Sequence, residues 1–240
     1  MIVATREHDV LTIAFDRPAA RNALSTEGWH ALADAAHRAA RDDVPAVVVA
    51  SATPGIFSAG ADLATLEPLA SDVAGRPAFR LRMHAAIEAL AALPMPVIAA
   101  VDGGCFGAAV AITLACDICI AGDAAVFATT PARLGIGYPG SDVARLAERV
   151  GRGQAARMLF SAAQVDADEA VRIGLADLRA ADAGAAARDM AARIAANAPD
   201  AVRLLKRTLT DPAGADAGFD AAFGSPSFAR GLAAFRNRRR

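Results

Sequence analysis

Four short runs of apolar residues, rich in β-branched side chains and alanine, recur in the first half of the chain at positions 10–15, 46–50, 97–101 and 118–121. Each is separated from the next by a stretch long enough for a helix, so strands are predicted at these runs and helices between some of them. Residues 25–41 carry apolar side chains at helical spacing behind a Ser/Thr cap, and residues 78–93 do the same before the stop signal Pro94-Met95-Pro96. Alternating strand and helix predicts an α/β architecture with ligand loops following the strands. Residues 67–76 mix Pro, Ser, Asp and Gly without period, which predicts a mobile loop placed to act as a lid. From Ser141 onward the pattern is nearly all helical, over 142–150, 154–160, 167–173, 185–196 and 199–209, the last with proline in its first turn. Residues 219–240 read as helical and amphipathic, and as strongly basic at the end.

Composition narrows this picture. With 240 residues, 55% hydrophobic and 5% aromatic, the chain can bury one large core with at most a small appended subdomain. A formal net charge of -1 offers no electrostatic reason to expect nucleic acid or an anionic membrane as partner. The basic residues are almost all arginine, Lys206 being the lone lysine, a bias that reads as genomic rather than as a binding signal. The N-terminus lacks the basic-then-apolar order of a signal peptide. The most apolar stretch is interrupted by Asp102 and Asp117, short of the ~20 residues a membrane span needs, so a cytoplasmic protein is expected. Three cysteines, Cys105, Cys116 and Cys119, are an odd number and argue against a disulfide framework. Cys116 and Cys119 spell C-x-x-C but read as the start of a buried strand, where residues three apart face opposite sides; no metal site is expected.

Candidate chemistry lies in two segments far apart in the chain. Phe57-Ser58-Ala59-Gly60-Ala61-Asp62-Leu63 and Val101-Asp102-Gly103-Gly104-Cys105-Phe106-Gly107-Ala108-Ala109 each follow a buried apolar run and each open a helix. Small residues let a ligand approach the main chain, and the first turn of a helix leaves unpaired N–H donors with a favourable dipole. Two such donors converging on one carbonyl oxygen form an oxyanion hole, which points to thioester chemistry.

These segments, with Asp16-Arg17-Pro18-Ala19-Ala20-Arg21-Asn22-Ala23-Leu24, the run from Pro96 to Gly103, Ala115-Cys116-Asp117-Ile118, Gly151, the stretch 170–176 and Phe235-Arg236-Asn237-Arg238, resemble the enoyl-CoA hydratase/isomerase (crotonase) family in order and over essentially the whole chain. The resemblance implies an α/β fold, a spiral of ββα units over residues 1–185, followed by a C-terminal helical region over 186–240 used in assembly as a homotrimer or hexamer. It implies an acyl-CoA thioester as ligand, with no separate cofactor because coenzyme A enters as part of the substrate. It assigns the oxyanion donors to the N–H groups of Ala61 and Ala108. Family members usually carry glycine at the second position; alanine keeps the donor provided φ stays negative. By the same resemblance Ala59, Asp62 and Leu63 line the path of the adenine and pantetheine, Arg21 approaches a phosphate, and Phe235 and Arg238 reach the nucleotide of a neighbouring subunit. For the arginines at 236 and 238–240 the other reading is a solvated tail.

Hydratases of the family use two glutamates, and their positions here hold Ala111 and Pro131. Neither side chain moves a proton, and general acid–base catalysis supplies a factor of roughly a hundred to ten thousand. Native hydration is therefore not expected, whereas decarboxylation, isomerisation and residual hydration all stay compatible with an enolate-stabilising cradle. Decarboxylation is slightly favoured, since an enolate formed by loss of CO2 needs no strong base. Tyr138, the chain's only tyrosine, lies in Leu134-Gly135-Ile136-Gly137-Tyr138-Pro139-Gly140, which resembles the loop where the family's decarboxylases place a tyrosine. It is a candidate to orient a carboxylate or protonate an enolate; the competing role is packing against a neighbouring subunit. His84 stands at the spacing of a histidine in the family's aryl-CoA dehalogenases, a third and weaker reading as a thioester hydrolase. Asp142 in a helical first turn and Asp62 as a cap both have structural reasons to be where they are. A reading of a different class is an acyl-CoA carrier or sensor that kept the fold and lost the chemistry.

Overall fold

The computed structural model describes residues 2–7 and 9–237. The chain starts with an antiparallel pair, β1 (Ile2–Glu7) and β2 (Val10–Phe15), followed by helix α1 (Thr26–Arg41), whose N-cap Ser25 accepts from the Gly28 amide. Two strands in quick succession and then helix are the repeating unit from there on. β3 (Ala46–Ser51) and β4 (Ile56–Ser58) lead into α2 (Leu63–Leu66) and α3 (Gly75–Ala91). β5 (Val97–Val101) and β6 (Gly104–Phe106) lead into α4 (Ala108–Leu114). β7 (Ile118–Gly122) and β8 (Val126–Ala128) lead into α5 (Gly140–Ser161). The long strand of each unit joins a six-stranded sheet in the order β1-β2-β3-β5-β7-β10, and the short strand joins a four-stranded sheet in the order β4-β6-β8-β9. β9 (Val165–Asp166), α6 (Ala167–Arg172) and β10 (Leu178–Ala180) close the two sheets. The fold is therefore the α/β spiral of ββα units expected from the resemblance.

Burial along the strands follows their place in the sheet. Central β5 is buried at every residue because layers cover both of its faces, β2 alternates, and edge strand β1 is mostly exposed. One core lies between the two sheets and helices α1, α3 and α4, with Trp29, Phe15 and Phe57 fully buried and the two phenylalanine rings edge to face at 5.1 Å. A second core lies on the opposite face of the large sheet. There α7 (Ala183–Ala195) lays Ala183, Ala187 and Ala191, one per turn, against Val48, Ile98 and Ile120. The Asp102 carboxylate, at the end of β5, accepts from the Ala183 and Gly184 amides and so caps α7.

Helices α8 (Pro199–Thr210), α9 (Ala215–Ala222) and α10 (Pro226–Asn237) follow, none with a buried residue. The lone lysine ties α8 to the sheet: Lys206 Nζ donates to Asp117 Oδ2 at 2.7 Å and to the Met95 carbonyl at 2.9 Å. The stretch expected to be helical from 219 is, over its described residues, divided between α9 and α10, because Pro226 restarts the chain and Ser225 Oγ accepts from the Phe228 amide as a cap. The expected break near Gly151 is present, with φ of 76° inside α5. The loop expected over 67–76 is corrected: Glu67–Ala70 is a 3-10 turn and α3 already starts at Gly75. Asp72 Oδ1 accepts from the Gly75 amide, and Arg76 donates to the Leu69 and Ala70 carbonyls, so local polar bonds shape a segment that lacks apolar period. Cys116 lies just past the end of α4, its thiol against the Ile112 carbonyl, and only Cys119 is on β7. Both thiols are buried, which pushes Cys119 up to about 12. No helix among the described residues is long and apolar enough to cross a membrane.

Candidate functional site

The two small-residue segments meet. In the first, the Ala59 amide donates to the Arg21 carbonyl, the Leu24 amide to the Gly60 carbonyl and the Asp62 amide to the Leu24 carbonyl. This is a parallel bridge between Leu24 and Ala61. Bonding through the groups on either side of Ala61 turns its own N–H away from the Leu24 strand. Gly60 sits at φ of 87°, and a Cβ placed on it would lie 2.5 Å from the Phe106 carbonyl oxygen and 2.8 Å from the Ala108 nitrogen. The backbone of the first segment thus lies directly against the start of α4, an approach that only glycine allows.

In the second segment Gly107 takes φ of 55° and ψ of -126°, while its amide donates to the Ala128 carbonyl of β8. That turn starts α4 at Ala108, whose N–H belongs to the first turn and has no acceptor within the helix. Ala108 is absent from the residues at positive φ, which is the condition for alanine to serve there. The Tyr138 hydroxyl donates to the Gly107 carbonyl at 2.8 Å.

Both segments line one cavity of about 780 Å³. Arg21, Ala59, Ala61, Asp62 and Leu63 line it together with Gly107, Ala108, Thr130, Pro131 and Tyr138, and its lining also includes the apolar Leu66, Phe79, Met83, Leu134 and Ile136 and the cationic Arg80. The Arg21 guanidinium sits 6.0 Å from the centre of the Phe106 ring. Of the positions where the resemblance puts glutamates, Pro131 is on the cavity wall and Ala111 is buried within α4.

Asp62 is the sole carboxylate among the described residues that line this cavity. It is already engaged, accepting from the Ala64 amide as the cap of α2 and from Arg17 at 2.5 Å. The Arg17 hydrogen bond holds its carboxyl below the usual carboxylate range, which makes it a poor base. Burial pushes the Tyr138 phenol well above its ordinary pKa, helped by the nearby Asp142 charge. Asp142, in the first turn of α5, is itself 2% exposed and raised by burial, with one oxygen that has no hydrogen-bond partner.

Other candidates fall elsewhere. His84 is not among the residues lining the cavity; half-exposed on α3, it pairs with Glu88 at 3.7 Å, and Glu88 also binds Arg145. Phe235 is on α10, outside the cavity wall, and Arg238 lies outside the described residues. One residue that braces the first segment from the 16–24 loop carries no functional expectation in the sequence. Asn22, buried and left-handed at φ of 57°, donates through Nδ2 to Ser51 Oγ at 2.8 Å and the Phe57 carbonyl at 3.1 Å. Its Oδ1 accepts from the Arg17 amide, and its carbonyl accepts from Ser58 Oγ, which in turn accepts from the Gly60 amide. The available signal was an asparagine within Arg21-Asn22-Ala23, since asparagine tolerates the left-handed region and bonds backbone on both sides. Thr130, Phe79, Arg80 and Met83 also reach the cavity without a local pattern to announce it.

Comparisons with known proteins identify the family. A family model described as enoyl-CoA hydratase/isomerase matches residues 5–221. The chain is 32% identical over 232 residues to a short-chain-enoyl-CoA hydratase of Clostridium acetobutylicum, covering 95% of this chain and 87% of that protein. An enoyl-CoA hydratase/isomerase family protein from Hyphomonas neptunium superposes with a TM-score of 0.94 at 31% identity, over 99% of this chain and 95% of the other. An enoyl-CoA hydratase from Bacillus anthracis gives 0.92 at 26% identity, over 99% and 96%. Sequence, fold and cavity lead to one conclusion: the chain belongs to the enoyl-CoA hydratase/isomerase family.

Proposed function

We propose that the cavity binds an acyl-CoA thioester and that the Ala61 and Ala108 N–H groups together stabilise the oxygen of its enolate. The observation that carries this reading is the close approach of Gly60 to the Ala108 nitrogen, which puts both amides beside one cavity. Fixed backbone donors need no reorganisation as negative charge develops on the thioester oxygen. Arg21 at the cavity wall supplies a cation for a phosphate of the coenzyme A carrier. Decarboxylation of a malonyl-type thioester is slightly favoured, with isomerisation and residual hydration as the alternatives. Pro131 and Ala111 supply no acid or base, Asp62 is bound by Arg17, and loss of CO2 leaves the enolate without prior proton abstraction. A turnover panel tests this: malonyl-type thioesters are consumed faster than crotonyl-CoA is hydrated. Brisk hydration of crotonyl-CoA with malonyl-type thioesters untouched reverses the assignment.

That the described residues of the cavity wall include no free carboxylate also favours a second reading, a carrier or sensor that binds acyl-CoA without converting it. Calorimetric binding of a long-chain acyl-CoA combined with no product from any thioester would select it. For assembly we propose the homotrimer, or a hexamer of two trimers. Leu205, Leu209, Phe219, Phe223 and Phe228 are exposed on α8 to α10, a band of apolar surface suited to burial between subunits. Light scattering that returned a monomer would remove this.

A further inference from the structure

The geometry points to Tyr138 as a positioning residue that holds the Gly107–Ala108 peptide with its N–H toward the cavity, rather than as a proton donor to substrate. This rests on the thioester reading above for its consequence, and on the ligand-free structure for its geometry. The Gly107 carbonyl and the Ala108 N–H are opposite ends of one rigid peptide plane. Tyr138 Oη donates to that carbonyl at 2.8 Å, and the Val110 amide donates to it at 3.0 Å, so the oxygen is held at both lone pairs. The N–H at the far end is thereby aimed into the space that Ala61, Ala108 and Tyr138 all line.

The local backbone reinforces the hold. Turning this peptide over rotates ψ of Gly107, now -126°, and φ of Ala108 in opposite senses by about half a turn, which drives Ala108 to positive φ. Glycine at 108 would tolerate that conformation and alanine resists it. The methyl of Ala108 and the phenol of Tyr138 therefore act on the same torsional freedom from two sides. A hydrogen bond to the carbonyl also polarises the amide and strengthens its N–H as a donor. The phenolic proton is committed to Gly107, and burial keeps the phenol protonated.

The chain's composition makes the test specific. Gly60-Ala61, Gly107-Ala108, Gly184-Ala185 and Gly214-Ala215 are the glycine–alanine steps in the sequence, so glycine labelled with 13C at the carbonyl and alanine labelled with 15N report both candidate donors with two internal references. In the ligand-free Tyr138→Phe variant the Gly107 carbonyl resonance moves upfield while that of Gly60 stays in place. A Gly107 resonance that does not move overturns the proposal, whatever the protein binds. The second arm measures the infrared carbonyl band of a 13C-labelled butyryl-CoA bound to the protein. Tyr138→Phe loses roughly 10–30% of the band's displacement relative to water. Because Tyr138 is the only tyrosine, biosynthetic replacement by 3-fluorotyrosine, a stronger donor, alters this site alone and increases the displacement. A merely structural role would not give that graded response, and a band indifferent to all three side chains refutes the transmission to the donor. Ala108→Gly widens the effect of Tyr138→Phe, so additive losses in the double variant also count against it. If butyryl-CoA does not bind the wild-type protein, the thioester reading has failed, and the Gly107 resonance alone still decides whether Tyr138 holds the peptide.

Discussion

The two segments that supply the candidate donors are held in place by different means. The first is fixed by side chains: Asn22 ties Arg17, Ser51, Phe57 and, through its own carbonyl, Ser58 into one buried network, and Arg17 returns to Asp62. The second is fixed by packing and backbone. α4 buries Ala108 through Thr113 in succession, and one phenol completes the arrangement. Main-chain donors can thus be aimed either by a polar network, whose members must all be satisfied, or by an apolar helix whose start is set by a single glycine. The two arrangements differ in how they fail and in how they respond to pH.

The largest effect is expected at the hub of the first segment. Asn22→Ala removes the partner of several buried groups at once and should cost about 3 kcal/mol by urea unfolding, each orphaned group contributing ~1–3 kcal/mol; a cost under about 1 kcal/mol would show the network to be dispensable. Next comes the start of the second segment. Gly107→Ala forces a side chain into φ of 55° with its Cβ 3.2 Å from Thr130 Oγ1. A loss of ~1–3 kcal/mol in stability is expected by urea unfolding; a variant as stable as wild type would contradict the strain. Tyr138→Phe removes one hydrogen bond and should cost about 1 kcal/mol in stability, so that a larger loss on thermal unfolding would mean the phenol supports more than the peptide.

The smallest effects separate the segments by sign. Asp62 is depressed by Arg17, so its contribution is present above its unfolded pKa and is lost as pH falls through the lower folded value. Asp62→Asn should therefore lower the melting temperature at pH 7 and cease to matter in acid. Asp142, behind the second segment, is raised by burial, and its charged form is a penalty that appears as pH rises through the raised folded value. Asp142→Asn should leave stability unchanged in acid and raise it slightly at pH 7. Melting curves across pH that show both variants with one sign would break the distinction.

Much of this was legible in the residues. The four long strands, the Ser25 cap, the turn at Gly151 and the two small-residue segments carry local signals, because each reflects the period of burial or the need for a particular backbone conformation. The short strands β4, β6 and β8 were not announced. Three residues are too few for a period, and their pairing is decided by the neighbouring turn of the spiral. The 67–76 segment has the sequence of a loop because its order comes from capping bonds, which leave no apolar pattern.

At the site the division is similar. The sequence alone determined the kinds of backbone present, small residues before two helices, and which protonic side chains are missing, since Ala111 and Pro131 are what they are in any fold. Only the tertiary structure decided that Gly60 lies against the Ala108 nitrogen, that Arg17 pairs with Asp62 on the cavity wall, and that His84 stays off that wall while Tyr138 bonds Gly107. The reason is physical: a residue's chemistry is local and travels with its letter, whereas direction and distance between residues far apart in the chain, 31 apart for Tyr138 and Gly107 and 45 for Arg17 and Asp62, are set by how sheets and helices pack.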